Sequence, residues 1–227
     1  MGTREGGGAS TPTFRVGESR GEVGASAPSG AYPRLIKPVL DRAIGLLLLI
    51  LFSPVIAASA LAVFVTMGRP VFYSQQRIGL DGRAFRLYKI RTMISDRRVG
   101  EDVYSGTERR LVHKSVDDPR VTLVGKALRA TRFDELPQFL NVVKGEMSMV
   151  GPRPELPEIV RRYEPWQHER HLVKPGVTGP WQVSNRNGDL MYEHTEIDLE
   201  YLEQISFTHD LGILVRTPMA MVGRKGH

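Results

Sequence analysis

Two adjacent carboxylates, Asp134 and Glu135, stand among arginines in the string LRATRFDELPQFLNVVKGEMSMVGPRPELP. Arg129 and Arg132 precede the pair, and Arg153 follows it. This combination suits phosphoryl chemistry, because one carboxylate can attack phosphorus while another holds a divalent cation. Arginines can bind and neutralise the phosphate oxygens. The string therefore indicates a site that handles phosphate groups.

The same residue types also begin helices, so helix capping is the competing interpretation. Asp is a favoured N-cap, Glu is favoured in the first turn, and Pro137 is tolerated only in that turn. On this string alone capping is favoured, and it predicts a helix over residues 134–145 that ends at Gly145. The two interpretations are compatible, since backbone N–H groups at a helix N-terminus attract phosphate.

The element that could bring such a site to a membrane is an apolar run without charged residues over residues 43–68. Ser53 and Pro54 divide it near the middle, where proline removes a backbone hydrogen bond and the serine hydroxyl can satisfy the freed carbonyl. Each arm would rise about 15 to 18 Å, roughly half of a ~30 Å hydrocarbon core. This arithmetic predicts a hairpin that enters and leaves the same leaflet.

Basic residues flank this run on both sides, whereas a spanning helix carries its Lys/Arg excess on the cytoplasmic side only. They are Arg34, Lys37 and Arg42 before the run and Arg69, Arg77, Arg83, Arg86, Lys89 and Arg91 after it. The flanks predict that both ends lie in the cytoplasm. A secretory signal peptide fits poorly, because more than 40 residues precede the run. A single span kinked at the proline is the remaining alternative, and sequence physics alone leaves it nearly even with the hairpin.

Composition and charge narrow the function classes. The chain has 227 residues, 41% of them hydrophobic, which suits one domain of ordinary size. It has no cysteine, so disulfides, zinc-thiolate sites and a cysteine nucleophile are excluded. Residues 69–133 carry 15 Lys/Arg against 7 Asp/Glu, which predicts contact with anionic lipid headgroups or phosphate substrates. We expect no nucleic-acid partner, because this segment is poor in aromatic residues and shows no nucleic-acid-binding signature.

Shorter elements are predicted after the apolar run. Two β-prone pieces, residues 70–74 and 84–90, surround the turn signal Asp81-Gly82, so we expect a hairpin close to the membrane. Residues 95–118 are polar and patternless and predict a mobile loop. Helical segments are predicted over residues 121–130, 155–163, 166–172 and 192–205. Residues 211–222, interrupted at Pro218, predict an amphipathic helix on the membrane surface or, alternatively, a core helix.

Several strings, in this order, resemble the bacterial sugar transferases, which are monotopic polyprenyl phosphate phosphoglycosyl transferases. The similarity extends from residue 35 to the C-terminus. It rests on the basic start at residues 37–42, the break at Ser53-Pro54, and the strings PVFYSQQRIGLDGRAFRLYKIRTM, DDPRVTLVGKALRATRFDELPQFLNVVKGEMSMVGPRPELP and LVKPGVTGPWQVSNRN. One departure is Pro38, where the family usually has arginine at the start of the re-entrant helix.

This resemblance implies an α+β fold: a small membrane-associated domain with a re-entrant N-terminal membrane helix and interfacial amphipathic helices. The implied organisation is a disordered tail over residues 1–32, the re-entrant helix over residues 33–68 and a catalytic domain over residues 69–227. The implied location is the cytoplasmic face of the bacterial plasma membrane. The oligomeric state stays open, with a homodimer as one candidate.

The resemblance also implies the transfer of a hexose 1-phosphate from a UDP-sugar to polyprenyl (undecaprenyl) phosphate, which initiates surface glycan or exopolysaccharide synthesis. In the family, the Asp of this motif attacks the β-phosphate, releases UMP and forms a phosphosugar ester that the lipid phosphate then attacks. By the matched motif, Asp134 is the nucleophile and Glu135 is the Mg²⁺ ligand. The matched phosphate contacts are Arg129 and Arg153, with Lys89 and Arg91 as weaker candidates.

A second class of function is a non-catalytic membrane scaffold that binds lipid phosphates. The intact Asp-Glu pair with its arginines favours the enzyme, because a scaffold has no chemical need for them. His168 and His171 are spaced like paired metal ligands, but no third ligand is evident, so they are left out of the site. The sugar is not identified by the sequence.

Overall fold

The structure is a computed structural model that describes residues 26–94, 120–184 and 194–223. Within these ranges the chain is mostly helical and contains two small sheets of two strands each. The expectation of a mixed α+β fold is confirmed at this level. The predicted mobile loop lies outside the described residues, as does most of the predicted tail.

Two helices joined by a bend form the N-terminal part of the molecule. A π-helical turn at Tyr32–Ile36 leads into α1 at Lys37–Leu51, and α2 follows at Ser53–Met67. The bend measures 56°. Within the described ranges, no single helix is long and apolar enough to cross a membrane, although this bent pair together meets that criterion of length and composition.

The break between the two helices lies where Ser53-Pro54 predicted it. Pro54 occupies the first turn of α2, where its missing N–H leaves no helical hydrogen bond unmade. The Ser53 hydroxyl donates a 2.7 Å hydrogen bond to the carbonyl of Ile50, at the open end of α1. Long apolar side chains are exposed along both arms: Val39, Leu47, Ile50, Leu51, Leu61 and Val65. A surface of this kind marks contact with a membrane or another protein.

A β-hairpin follows the bent pair. Strand β1 at Phe72–Ile78 pairs antiparallel with β2 at Ala84–Ile90, so that Phe72 faces Ile90 and Ile78 faces Ala84. The connecting turn contains Asp81 in the left-handed conformation, with φ at 55°, which Asp tolerates better than most residues. The predicted hairpin is confirmed, and its first strand is longer than predicted.

The segment that carries the Asp-Glu pair differs from its prediction. Helix α3 spans Leu123–Thr131, a 3-10 turn follows at Phe133–Glu135, and α4 spans only Gln138–Lys144. The predicted helix start at residue 134 is therefore wrong. Its predicted end is confirmed, because Gly145 caps α4 with φ at 79°.

The C-terminal half contains short elements around a second sheet, in which β3 at Ser148–Val150 runs parallel to β4 at Gly176–Thr178. The predicted helix over residues 155–163 is shorter in the structure, and the one over residues 166–172 is a 3-10 helix. The helices are α5 at Pro157–Val160, the 3-10 helix at Pro165–Leu172, α6 at Pro180–Val183, α7 at Glu196–Gln204 and α8 at Phe207–Gly223.

Helix α8 continues through Pro218 without the predicted interruption. Its exposed side includes a stripe with a spacing of four residues: Phe207, Leu211, Val215 and Met219. Asp210 and Ile213 are buried on the opposite side. The helix is therefore amphipathic, and the interpretation as a core helix is wrong for the exposed stripe, while its location on a membrane surface stays a prediction.

The main hydrophobic core joins the bent pair to the rest of the molecule. Its buried side chains come from β2, α4, the turn after α4, β3, α7 and α8: Leu87, Phe139, Val142, Met147, Met149, Val150, Tyr201, Leu202 and Ile213. Gly45 of α1 lies against α4, since a Cβ at this position would be 2.9 Å from Cγ1 of Val142. Helix α1 thus packs directly onto the helix that follows the Asp-Glu pair.

Two buried acidic side chains also fasten α1. Asp41 accepts hydrogen bonds from the Ser148 hydroxyl at 2.6 Å and from the Met149 N–H at 3.1 Å. Lys37 pairs with Asp210 of α8 at 2.6 Å. These contacts tie α1 to β3 and to the amphipathic helix, so the apolar surfaces keep a fixed orientation relative to the core.

Candidate active site

The turn that holds Asp134 and Glu135 is set up by Arg132, which ends α3 in the left-handed conformation with φ at 59°. A non-glycine residue rarely adopts this conformation, and such residues cluster at functional sites. The chain then enters the 3-10 turn, and Asp134 caps neither this turn nor α4, whose N-cap is Pro137. The capping interpretation is therefore wrong, and the type and burial of Asp134 need another explanation.

Glu135 is held by cations from two directions. Its Oε1 lies 2.7 Å from Nζ of Lys89 on strand β2, and its Oε2 lies 3.8 Å from Nη1 of Arg132. The pair with Lys89 is mostly shielded, with 22% of the lysine and 18% of the glutamate side chain exposed. Limited access to water strengthens this attraction relative to a surface pair.

The position of Lys89 is secured by Asn141 of α4, which is fully buried. The Asn141 amide donates to the carbonyl of Arg86 at 2.7 Å, and its oxygen accepts from the N–H of Tyr88 at 3.2 Å. A second hydrogen bond from the amide reaches Glu146 at 2.7 Å. Asn141 thus fixes α4 against strand β2, which aligns Lys89 with the carboxylate pair.

Asp134 is buried, with 8% of its surface exposed. Burial, followed by the negative charge of Glu135, raises its pKa to about 6, against the lowering effect of Lys89, Arg129 and Arg132. Desolvation disfavours the charged form of a carboxyl group, and a like charge nearby acts in the same direction. At neutral pH the Asp134 carboxyl group is therefore mostly ionised, but its surroundings stabilise the negative charge poorly, which suits a nucleophile.

Glu135 behaves in the opposite way. Burial would raise its pKa, but the positive charges of Lys89, Arg153 and Arg132 outweigh burial and hold the pKa well below its usual range. Two adjacent carboxylates thus have pKa values that are pushed apart by their surroundings, a pattern typical of catalytic pairs. Glu135 keeps its negative charge throughout the physiological pH range.

A small pocket opens beside Glu135. Its lining comes from both strands of the hairpin, the 3-10 turn, α4, β4, α6 and the loop after β3: Arg77, Leu87, Lys89, Glu135, Gln138, Arg153, Pro154, Gly176, Val177 and Gln182. Asp134 is not part of this lining. Three cationic side chains, Arg77, Lys89 and Arg153, line one pocket, which suits a ligand with several negative charges.

The predicted phosphate contacts fall into two groups. Lys89 and Arg153 line the pocket. Arg129 lies close enough to lower the pKa of Asp134, and its Nε donates to the Thr92 hydroxyl at 2.9 Å. The structure thus brings these three residues around the carboxylate pair.

Arg91, the remaining candidate, lies elsewhere. Its guanidinium donates 2.7 Å hydrogen bonds to the carbonyls of Met67 and Gly68 at the end of α2, and it does not line the pocket. A cation at this end of a helix satisfies open carbonyls and opposes the helix dipole. In this structure Arg91 therefore fastens α2 to the hairpin.

Sequence reasoning missed four residues at or behind the pocket. Arg77, Gln138 and Gln182 line it. Arg170 is 1% exposed, pairs with Asp198 at 2.7 Å and donates to the carbonyl of Arg153 at 2.8 Å. Gln138 and Gln182 have apolar neighbours in the sequence, whereas Arg77 and Arg170 stand next to polar residues. Neither context distinguishes a ligand contact from a structural hydrogen bond.

The carboxylate pair can also be assessed as a metal site. Among the residues that the structure describes, no group of three His, Cys, Asp or Glu side chains could enclose a metal ion. Mg²⁺ does not need such a cage, because it is commonly held by one or two carboxylates and completed by water and substrate phosphates. Glu135 stays ionised and lines the pocket, so it is the carboxylate that could hold the ion beside a bound phosphate group.

Comparisons with known proteins found a matching family model and several similar proteins. A family model described as bacterial sugar transferase matches residues 32–224. The exopolysaccharide production protein ExoY of Rhizobium meliloti is 36% identical over 213 residues, which cover 90% of this chain and 92% of that protein. The UDP-glucose:undecaprenyl-phosphate glucose-1-phosphate transferase of Escherichia coli is 38% identical over 198 residues, 84% of this chain and 41% of that protein.

A third relative is the galactosyl transferase CpsE of Streptococcus agalactiae, which is 40% identical over 153 residues, 66% of this chain. That match covers only 34% of the relative. The chain thus spans about a third of CpsE, about two fifths of the Escherichia coli transferase and nearly all of ExoY.

Proposed function

The chain belongs to the bacterial sugar transferase family, and on this premise we propose that it transfers a hexose 1-phosphate from a UDP-sugar to undecaprenyl phosphate, with release of UMP. Relatives named as undecaprenyl-phosphate glucose-1-phosphate and galactose phosphotransferases support the choice of acceptor and of reaction. Relatives named as exopolysaccharide production proteins support a role at the start of surface glycan synthesis.

One observation carries this proposal: Asp134 is buried and not used as a helix cap, and it stands beside a carboxylate that three cations keep ionised. In the first step, a carboxylate oxygen of Asp134 attacks the β-phosphorus of the UDP-sugar. The bond between that phosphorus and the oxygen that bridges to the α-phosphate breaks, and the bridging oxygen leaves with UMP. The product is a phosphosugar ester of Asp134.

In the second step, a phosphate oxygen of undecaprenyl phosphate attacks the same phosphorus. The bond to the Asp134 oxygen breaks, the carboxylate is regenerated, and the sugar is left on a lipid diphosphate. Each step brings an anionic nucleophile to an anionic phosphate, so cations must offset the repulsion. Lys89, Arg129 and Arg153 are the side chains proposed for this task, and Glu135 is the proposed holder of Mg²⁺.

The lipid acceptor explains the apolar surfaces. We propose that α1 and α2 enter and leave one leaflet of the plasma membrane from the cytoplasmic face and that the exposed stripe of α8 lies in the same interface. Support comes from the 56° bend and from basic residues on both flanks of the pair. Because α1 packs against α4, the lipid phosphate would meet the carboxylate pair near the level of the headgroups.

The experiment that tests this function is UMP release by membranes that contain the protein. Continuous UMP release from one or more members of a panel of UDP-sugars should require added undecaprenyl phosphate, and without it UMP release should stop after about one UMP per protein, the amount that the first step produces. Asp134→Asn membranes with equal amounts of the protein serve as the control. A wild-type protein that binds undecaprenyl phosphate but releases no UMP from any UDP-sugar would instead support the scaffold.

A further inference from the structure

The pocket contains two neutral amide side chains that the mechanism above does not use. Gln138 is the first residue of α4 and is 4% exposed. Among the residues that the structure describes, its side chain makes no hydrogen bond. Gln182 belongs to α6, and in the described part of the chain its Oε1 atom is buried without a hydrogen-bond partner. Both line the pocket together with Lys89, Glu135 and Arg153.

Such an arrangement is uncommon in a folded protein, because most buried polar side chains make at least one hydrogen bond. A purely structural glutamine would be expected to bond to a backbone group, as buried Asn141 does with Arg86 and Tyr88. Two unbonded amides that face one pocket therefore point to a ligand that completes their hydrogen bonds. An amide offers both donors and an acceptor, which matches a hydroxyl group, itself both donor and acceptor.

We infer that Gln138 and Gln182 bind hydroxyl groups of the hexose in the UDP-sugar and contribute to the choice of sugar. The inference rests on the proposed function. The hexose is bonded directly to the β-phosphate, which Lys89 and Arg153 are expected to hold. Its hydroxyls are therefore polar groups next to the transferred phosphorus, whereas uracil lies beyond the α-phosphate and the ribose. A site built to bond a hydroxyl discriminates strongly against a sugar that lacks it or places it elsewhere.

The test uses Gln138→Met and Gln182→Met, which keep the side-chain volume and remove the hydrogen bonds. Each variant should lower kcat/KM for the preferred UDP-sugar roughly tenfold, the effect of one lost hydrogen bond. The ratio of kcat/KM between UDP-glucose and UDP-galactose should fall toward one. Inhibition by UMP should stay unchanged because UMP has no hexose. Gln204→Met, at the exposed end of α7, is the matched control and should change none of these values.

A thermal melt distinguishes a role of the two glutamines in ligand binding from a role in stabilising the fold. Within the described ranges neither amide has a hydrogen bond to lose, so both methionine variants should melt at the wild-type temperature or above it. A lower melting temperature with unchanged kcat/KM would overturn the inference in favour of a structural role. Weaker inhibition by UMP would overturn it in favour of a nucleotide contact, and unchanged kinetics would overturn it outright. These outcomes all require an active wild type; a wild type that releases no UMP would overturn the proposed function itself.

Discussion

Nζ of Lys89 lies 2.7 Å from Oε1 of Glu135 and joins strand β2 to the turn that carries Asp134. This contact acts on Asp134 in two opposite ways. The positive charge of Lys89 lowers the pKa of Asp134 directly. The same charge keeps Glu135 ionised, and the negative charge of Glu135 raises the pKa of Asp134. The reactivity proposed for Asp134 therefore depends on a residue 46 positions away from Glu135 in the chain.

Replacement of Asp134 by asparagine should abolish activity and stabilise the fold at alkaline pH. The amide has no anionic oxygen to attack phosphorus, so UMP release should fall by several powers of ten. Because the pKa of Asp134 is raised from 3.8 to about 6, its contribution to stability is complete below pH 3.8 and is lost as the pH rises through 6. Asparagine stays neutral, so the variant should be more stable than the wild type by about 1 to 3 kcal/mol at pH 8.

Thermal melts of Asp134→Asn and wild type at pH 8 and pH 4 test the stability, and UMP release tests the activity. The difference in melting temperature should shrink at the lower pH, where the wild-type carboxyl is also neutral. A variant that keeps most of its activity would end the covalent mechanism. A variant that is less stable at pH 8 would show that the charge of Asp134 supports the fold.

The pH dependence of wild-type activity should reflect the ionisation of Asp134. Only the ionised carboxylate can attack, and the pKa of Asp134 is raised to about 6. We expect kcat/KM to be nearly constant above pH 7 and to fall about tenfold per pH unit well below 6. The rate of the first step, measured in a single turnover without lipid acceptor, avoids titration of the lipid phosphate. A profile that stays flat to pH 4.5 would contradict this assignment.

Lys89→Met should lower both stability and activity. It leaves Glu135 as a shielded carboxylate without its nearest cation, and breaking a fully buried pair in this way costs about 3 to 5 kcal/mol. Because this pair is partly exposed, we expect about 1 to 3 kcal/mol. The double variant Lys89→Met with Glu135→Gln should recover much of the stability but none of the activity. Lys126→Met, on the exposed side of α3, is the control and should change neither.

Removal of divalent cations should stop turnover. The diphosphate and the two carboxylates repel one another, and Mg²⁺ would offset that repulsion. Excess chelator should abolish UMP release, and added Mg²⁺ should restore it. Glu135→Gln should require a higher Mg²⁺ concentration for half-maximal activity. Full activity in excess chelator would remove Glu135 from the role of metal ligand.

Both ends of the bent helix pair should face the cytoplasm. The protein has no cysteine of its own, so a thiol reagent can label only a cysteine that is introduced by substitution. Ser26→Cys and Arg83→Cys occupy exposed positions on the two sides of the pair. Both should resist a membrane-impermeant thiol reagent in intact cells and react once the cells are opened. Labelling of only one of them in intact cells would establish a single span.

Local features of this protein could be predicted from the sequence alone. The break at Ser53-Pro54, the second strand of the hairpin and the end of α4 at Gly145 were all predicted correctly. Each depends on the conformational limits of one or two residues and on hydrogen bonds within a single turn. The carboxylate pair also stood out by residue type, and the resemblance to known transferases suggested its role.

The tertiary structure decided how these local features combine. Asp134 has the residue type of a helix cap, yet the left-handed conformation of Arg132 places it in a separate turn instead. Lys89 and Arg91 are two positions apart, but one reaches Glu135 while the other binds the end of α2. Gln138 and Gln182 meet in one pocket only because distant segments pack together. Sequence patterns act over a few residues, whereas burial, charge pairing and unbonded polar groups arise from contacts between segments that are far apart in the chain.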